Sequence, residues 1–137
     1  MMKNKLLSIS ILIFWTIGLF ASFVSSADVP RMTKDDLKAM LGNPSLLILD
    51  VRLGRDYMFT DSKIKGADRP PGITMGHITP SQFPNDKEKT IVFYCLSNEE
   101  ISAPIAQQFI EQGFTKVYVL KGGWEELLKA GYPTEKK

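Results

Sequence analysis

Three short apolar runs constrain this chain more than any other feature: Leu46-Leu47-Ile48-Leu49, Thr90-Ile91-Val92-Phe93-Tyr94 and Lys116-Val117-Tyr118-Val119-Leu120. A strand with one wet face alternates apolar and polar residues, whereas a strand covered on both faces does not. Each run is followed or preceded by an amphipathic segment of helical period. Strand and helix alternating in short units specify an α/β fold with a central, mostly parallel β-sheet flanked by helices.

The helices have readable ends. Thr33 stands as an N-cap before the acidic turn Asp35-Asp36, Leu37, Met40 and Leu41 share one face, and Gly42 closes the segment before the turn Asn43-Pro44-Ser45. Ile101, Ile105, Ala106, Phe109 and Ile110 mark a second helix stopped by Gly113. After the turn Gly122-Gly123, the residues Trp124, Leu127 and Leu128 mark a third, closed by Gly131. Residues 53–89 are broken by Gly54, Gly66, Pro70, Pro71, Gly72, Gly76, Pro80 and Pro84, with one helical turn expected near 55–59. A long irregular stretch in a small domain wraps the surface or shapes a site. His77 lies in it and reads as a solvated surface residue without a visible partner.

The 137 residues suit one domain, and 44% apolar with 23% charged residues is a globular balance. The first 27 residues differ from the rest. Lys3 and Lys5 precede a nearly all-apolar stretch over 6–19, and Ser25-Ser26-Ala27 supplies small residues where a signal peptidase reads. That is the pattern of a secretory signal cleaved after Ala27, with export to a periplasmic or extracellular space. The competing reading is an outward-facing N-terminal membrane anchor, because residues 6–24 are just long enough to span a bilayer. Interruption by Ser and Thr favours cleavage. Removing 1–27 takes away two of the 17 basic residues and none of the 15 acidic ones, so residues 28–137 are formally neutral. No uncompensated cluster remains for nucleic acid or anionic lipid. One Cys and one His exclude an internal disulfide and a Cys/His zinc site.

Cys95 is the residue that carries chemistry. It sits at the carboxyl end of an expected central strand, before a loop that opens a helix, which is where open parallel sheets bind ligands. Loop amides and a helix N-terminus cradle an anion and favour the thiolate form of a cysteine placed there. The residues alone leave a buried apolar cysteine equally open.

Several segments together resemble a rhodanese-like (sulfurtransferase) domain over most of residues 33–133. These are the opening helix 33–41, Leu47-Ile48-Leu49-Asp50-Val51-Arg52, Lys63-Ile64-Lys65-Gly66-Ala67, Ile91-Val92-Phe93-Tyr94-Cys95 and Gly113-Phe114. The last is Val117-Tyr118-Val119-Leu120-Lys121-Gly122-Gly123-Trp124 with its ending Ala130-Gly131-Tyr132-Pro133. The resemblance implies a three-layer α/β domain and an active-site cysteine that carries a sulfane sulfur as a persulfide. On it Cys95 maps to the nucleophile and Leu96, Ser97, Asn98, Glu99, Glu100 and Ile101 to the substrate loop. No cofactor or metal is implied. The partners implied are a sulfane-sulfur donor (polysulfide, protein persulfide or thiosulfate) and a thiol acceptor.

The loop departs from the family pattern. Where thiosulfate-active members carry Arg or Lys after the cysteine, this chain has Leu96, and Glu99 and Glu100 follow. A carboxylate about 8 Å from a thiosulfate charge opposes it by about 2 kcal/mol at an effective dielectric near 20. Asn98 is expected at the position of the family's glycine, because both tolerate positive φ. Ser97 and Glu100 have capping-box spacing, but a cap at Ser97 puts Pro104 inside the helix at about 3 kcal/mol. A cap at Ser102 puts it harmlessly in the first turn, so the loop is expected to run over the seven residues 95–101. Seven-residue loops in related phosphatases and arsenate reductases end in an oxyanion-gripping Arg; here the seventh residue is Ile101.

The expectation is therefore an exported sulfane-sulfur carrier with doubtful thiosulfate activity. The alternative is a non-catalytic module that docks a protein partner through the same loop. Asp50 and Arg52 are expected to form a structural ion pair, Gly122 and Gly123 a turn, and Trp124 a core or loop anchor. Lys65 and Arg69 are candidate donors of the positive charge that the loop lacks.

Overall fold

The computed structural model describes residues 29–73, 78, 80, 83 and 87–137. The expected signal segment and His77 lie outside the described residues. In chain order the elements are β1 (Arg31–Met32), α1 (Lys34–Met40), β2 (Leu46–Asp50), α2 (Gly54–Met58), β3 (Ser62–Ile64), β4 (Thr90–Tyr94), α3 (Ser102–Glu111), β5 (Lys116–Leu120), α4 (Gly123–Lys129) and β6 (Thr134–Lys136).

The three apolar runs form β2, β4 and β5, joined by β1 in a four-stranded sheet of order β1-β5-β4-β2. All its pairings are parallel, with Leu46 opposite Thr90, Asp50 opposite Tyr94 and Phe93 opposite Val119. Helices cover both faces of this sheet, which is why its strands read as continuous apolar runs. Alternate residues of each strand feed two separate cores, one on each face. Leu49, Ile91, Phe93, Val117 and Val119 pack against Ile105, Ala106 and Phe109 of α3. Ile48, Val92, Tyr94 and Leu120 pack against Leu37 of α1 and Trp124 and Leu127 of α4. The result is a three-layer α/β domain.

On the α3 side Phe109 is the packing centre, with Phe93, Phe114 and Phe83 at ring separations of 4.9, 5.1 and 5.2 Å. α1 begins as the sequence predicts: the Thr33 hydroxyl accepts a hydrogen bond from the Asp36 N–H at 3.1 Å. Residues 62–68 carry more order than the Gly/Pro content of the stretch after β2 suggests. β3 pairs antiparallel with the C-terminal β6, a two-stranded ribbon that no alternation signals. Asp68 then lies along the outer edge of β2, where its N–H donates to Ile48 and its carbonyl accepts from Asp50.

Candidate active site

Cys95 follows directly on β4, one of the two internal strands, so it stands at the carboxyl end of the parallel sheet. Its side chain is buried, with only 4% of its surface exposed. The thiol donates to the carbonyl oxygen of Asn98 within its own loop. The Ser102 hydroxyl lies 3.5 Å from Sγ.

The loop is held at both ends by apolar packing. Leu96 packs into the α1/α4 core and Ile101 into the α3 core. The residue at the family's basic position is thus turned into the protein. Backbone bonds fix the same segment: Trp124 N–H donates to the Cys95 carbonyl and Glu125 N–H to the Leu96 carbonyl, both at 2.9 Å. Gly122 and Gly123 make this docking feasible, with φ of +79° and +61°. At Gly123 a Cβ would meet the Cys95 and Leu96 carbonyl oxygens at 2.8 and 2.9 Å. The double glycine is therefore a seat for the cysteine loop.

α3 begins at Ser102, as Pro104 in the first turn requires, but Ser102 does not cap it. Ile101 is the N-cap and no side chain caps the helix; the Ser102 hydroxyl faces the thiol instead. The Ser97–Glu100 capping box does not form. Asn98 does not adopt positive φ either, since among the described residues only glycines do. In the seven-residue loop its carbonyl is what matters, turned onto Cys95.

Sequence reasoning missed Arg31. Its Nε–H is shared between both carboxylate oxygens of Glu99, at 2.8 and 2.6 Å. The partners are 68 positions apart, and β1 is only two residues long, so no local pattern announces the pair. Glu99 is thus compensated by a cation on β1, outside its own loop. Glu100 is exposed.

Asp50 and Arg52 form a buried fork, with Nε to Oδ1 at 2.9 Å and Nη2 to Oδ2 at 2.6 Å. Arg52 also donates to the Thr60 hydroxyl and the Ser62 carbonyl, both at 2.9 Å. Its guanidinium lies 4.3 Å from the Trp124 ring centre, and that ring stacks on Tyr94. Burial works against the Arg52 charge, and the Asp50 hydrogen bonds and charge hold its pKa above the ordinary value. Burial, then the Asp50 charge, pushes the Tyr94 phenol well up, and its oxygen accepts from the Ile64 N–H at 3.3 Å.

Lys65 and Arg69 have other surroundings. Lys65 is exposed beside Leu41, Gly66, Pro133 and Glu135. It lies three residues before Asp68, which pairs beside Leu49, so it sits toward the amino end of β2. Arg69 donates to the Arg52 carbonyl at 2.8 Å and to the Asp50 carbonyl at 3.3 Å, and stacks 3.5 Å from the Tyr57 ring centre. It is near the carboxyl end of β2 but engaged there. Among the described residues no group of His, Cys, Asp and Glu is placed to hold a metal ion.

Fold and loop together define a three-layer α/β domain with one cysteine presented at the carboxyl end of its central strand. The sequence pattern of the Rhodanese-like domain family matches residues 33–130, and the chain belongs to that family. A thiosulfate sulfurtransferase GlpE of Coxiella burnetii is 47% identical over 49 residues, 36% of this chain. The match spans 44% of that relative's length, under half of it. Among solved structures, the BH2092 protein of Bacillus halodurans is 26% identical over 78% of this chain and 77% of its own, with a TM-score of 0.63. The polysulfide-sulfur transferase homodimer of Wolinella succinogenes shares the fold at 21% identity, 82% coverage of each chain and a TM-score of 0.62.

Proposed function

We propose that Cys95 accepts a sulfane sulfur as a persulfide and passes it to a thiol, making this chain an exported sulfur carrier of sulfurtransferase type. The observation that carries the reading is the position of Cys95, at the end of β4 in a loop joined to α3, within a rhodanese-like domain. The thiosulfate sulfurtransferase relatives support it.

The step balances without a cofactor. The Cys95 thiolate attacks the terminal sulfur of a polysulfide, forming one S–S bond as the next one breaks, and the electron pair leaves on the shortened polysulfide. An acceptor thiolate then attacks the outer sulfur, and Cys95 departs as thiolate. Leu96, packed into the core where thiosulfate-active members carry a cation, and the exposed acid Glu100 support polysulfide or a protein persulfide as donor in preference to thiosulfate. Phosphoryl or arsenate chemistry has no support, because it needs a cation on the transferring group and the seventh loop residue is the apolar, core-packed Ile101. Export rests on the signal pattern of residues 1–27; Val29, two residues beyond Ala27, is already a core residue.

The second reading, a docking module without catalysis, draws on the closed loop, in which the buried thiol is satisfied by Asn98 and faces Ser102. The deciding experiment treats the freshly reduced full chain, in mild nonionic detergent, with polysulfide and separately with thiosulfate. Intact mass is read before and after cyanide, with Cys95→Ser as control. A one-sulfur gain that requires Cys95 and leaves as thiocyanate is the expected result. Absence of loading from either donor refutes the carrier reading and favours the docking module.

A further inference from the structure

We infer that Arg31 and Glu99 form an ionic clasp that holds the Cys95 loop closed, and that an anionic donor opens the loop by competing with Glu99 for Arg31. The choice of a sulfur anion as opener rests on the sulfur-carrier reading; the clasp rests on geometry alone.

The loop's ends are fixed by the backbone bonds to Trp124 and Glu125 and by the Glu99 carbonyl, which accepts from Ala103 N–H at 2.9 Å. Between them, among the described residues, the side-chain tether from the loop to the rest of the domain is Glu99 to Arg31. Arg31 is a firm anchor. The carbonyls on either side of it, of Pro30 and Met32, accept hydrogen bonds from Val119 and Lys121, which pins β1 to β5. The other end of the clasp is the residue after Asn98, so the peptide unit whose oxygen receives the Cys95 S–H is bonded directly to Glu99.

That contact suits a resting thiol and not a working one. A carbonyl oxygen accepts a hydrogen bond but donates none, so it offers nothing to a thiolate or to a persulfide anion. An outer sulfur on Cys95 also needs the space beside Sγ that this carbonyl borders. Loading therefore requires the Asn98 peptide to move, and Glu99 must yield for it to do so.

Arg31 is built to exchange partners. Its side chain is 48% exposed and that of Glu99 19%, so solvent anions reach the guanidinium. Glu99 engages Nε alone; Nη1 and Nη2 hold no protein partner among the described residues. A guanidinium with open donors takes a second anion before it releases the first. Glu99 is a positioning residue here, acting on Cys95 through the loop; Arg31 holds Glu99 at rest and the donor anion when the loop opens.

The test reads thiol access with a neutral probe. The full reduced chain is alkylated with iodoacetamide and the Cys95 adduct is followed by mass. Arg31→Ala and Glu99→Gln are expected to react about fivefold faster than the unaltered chain, the change that one half-exposed ion pair supports. The charge-reversed pair Arg31→Glu with Glu99→Arg is expected to restore the slow rate. At equal ionic strength, sulfate accelerates the unaltered chain more than chloride does and has no such extra effect on Arg31→Ala. Unaltered rates in both single variants overturn the clasp, as does a reversed pair that reacts as fast as the single variants. Glu99→Gln leaves β1 intact, so local unfolding of that strand cannot mimic the result. Persulfide loading is read separately. Fast alkylation without loading in any variant retires the carrier reading and keeps the clasp, whereas loading with unchanged alkylation does the reverse.

Discussion

Gly123 and Cys95 are in such close contact that a Cβ on the glycine would stand 2.8 Å from the cysteine's carbonyl oxygen. Backbone atoms on both sides leave nothing flexible to give way, and φ at Gly123 is +61°. Gly123→Ala is therefore expected to destabilise the domain by about 2 kcal/mol or more. It should also shift the loop enough to change Cys95 alkylation. At Gly122 the clash is with one side chain: the Glu126 Cγ, 2.2 Å away, can rotate aside, but its Cβ at 2.8 Å is fixed by α4. Gly122→Ala should therefore cost more than the about 1 kcal/mol of its φ and less than Gly123→Ala. Urea unfolding of both variants gives the order; equal losses would contradict the seat assigned to Gly123.

The Asp50–Arg52 fork predicts strong non-additivity. Both side chains are essentially inaccessible. Removing Asp50 strands the buried Arg52 charge, a loss of about 3–5 kcal/mol; removing Arg52 leaves Asp50 with Arg69 Nη1, 3.8 Å away, as its remaining ion pair. Asp50→Asn should approach that loss, and Arg52→Met should fall short of it. Adding Arg52→Met to Asp50→Asn should recover part of the stability, because the remaining partner no longer carries charge. A double variant whose loss equals the sum of the singles, measured by urea unfolding, would mean that the two residues act independently.

What could be read from the chain follows from the range of the interactions. β2, β4, β5, α1, α3 and α4 were legible because burial on two faces, or on one helical stripe, is written in consecutive residues. Pro104 located the start of α3 for the same local reason. β1, β3 and β6 were not legible, since strands of two or three residues carry no period and form only because a distant partner supplies the ladder. The site divides in the same way. Cys95 and its seven-residue loop were visible in sequence, while Arg31 reaches Glu99 only through the pairing of β1 with β5. Lys65 and Arg69 were candidate cations for want of a visible one. Lys65 lies toward the opposite end of β2 and Arg69 is engaged at Asp50 and Arg52. Lys65→Ala is accordingly expected to leave persulfide loading unchanged, and a clear loss would return it to the site.

Ser102 is the hydroxyl nearest the thiol, 3.5 Å from Sγ and buried at the first position of α3. It caps nothing, so Ser102→Ala leaves the helix intact. Its hydroxyl can rotate to donate to a sulfur anion, which the Asn98 carbonyl cannot do. Losing one such bond should slow persulfide loading about fivefold. The urea midpoint should barely move, and Ser102→Thr should retain most of the rate. A lowered midpoint with unchanged loading would make the hydroxyl a packing feature only.

Tyr132 shares the fold's alkaline signature with Tyr94. Its hydroxyl is buried without a hydrogen-bond partner among the described residues. Burial, and then the charge of Asp35, raises its pKa from 10.0 to about 12. A group whose pKa is raised by folding favours the protonated form in the native state. Its contribution is therefore complete below the unfolded value of 10.0 and is lost as pH climbs through 10 toward about 12. Tyr132→Phe should match or slightly exceed the parent's stability near neutrality, since it deletes an unsatisfied buried group. Between pH 10 and 12 it should lose stability less steeply than the parent. Tyr94, also pushed up by burial, remains in both proteins and sets the residual slope. Urea midpoints measured across that interval decide the matter: parallel declines would place the alkaline transition on Tyr94 alone.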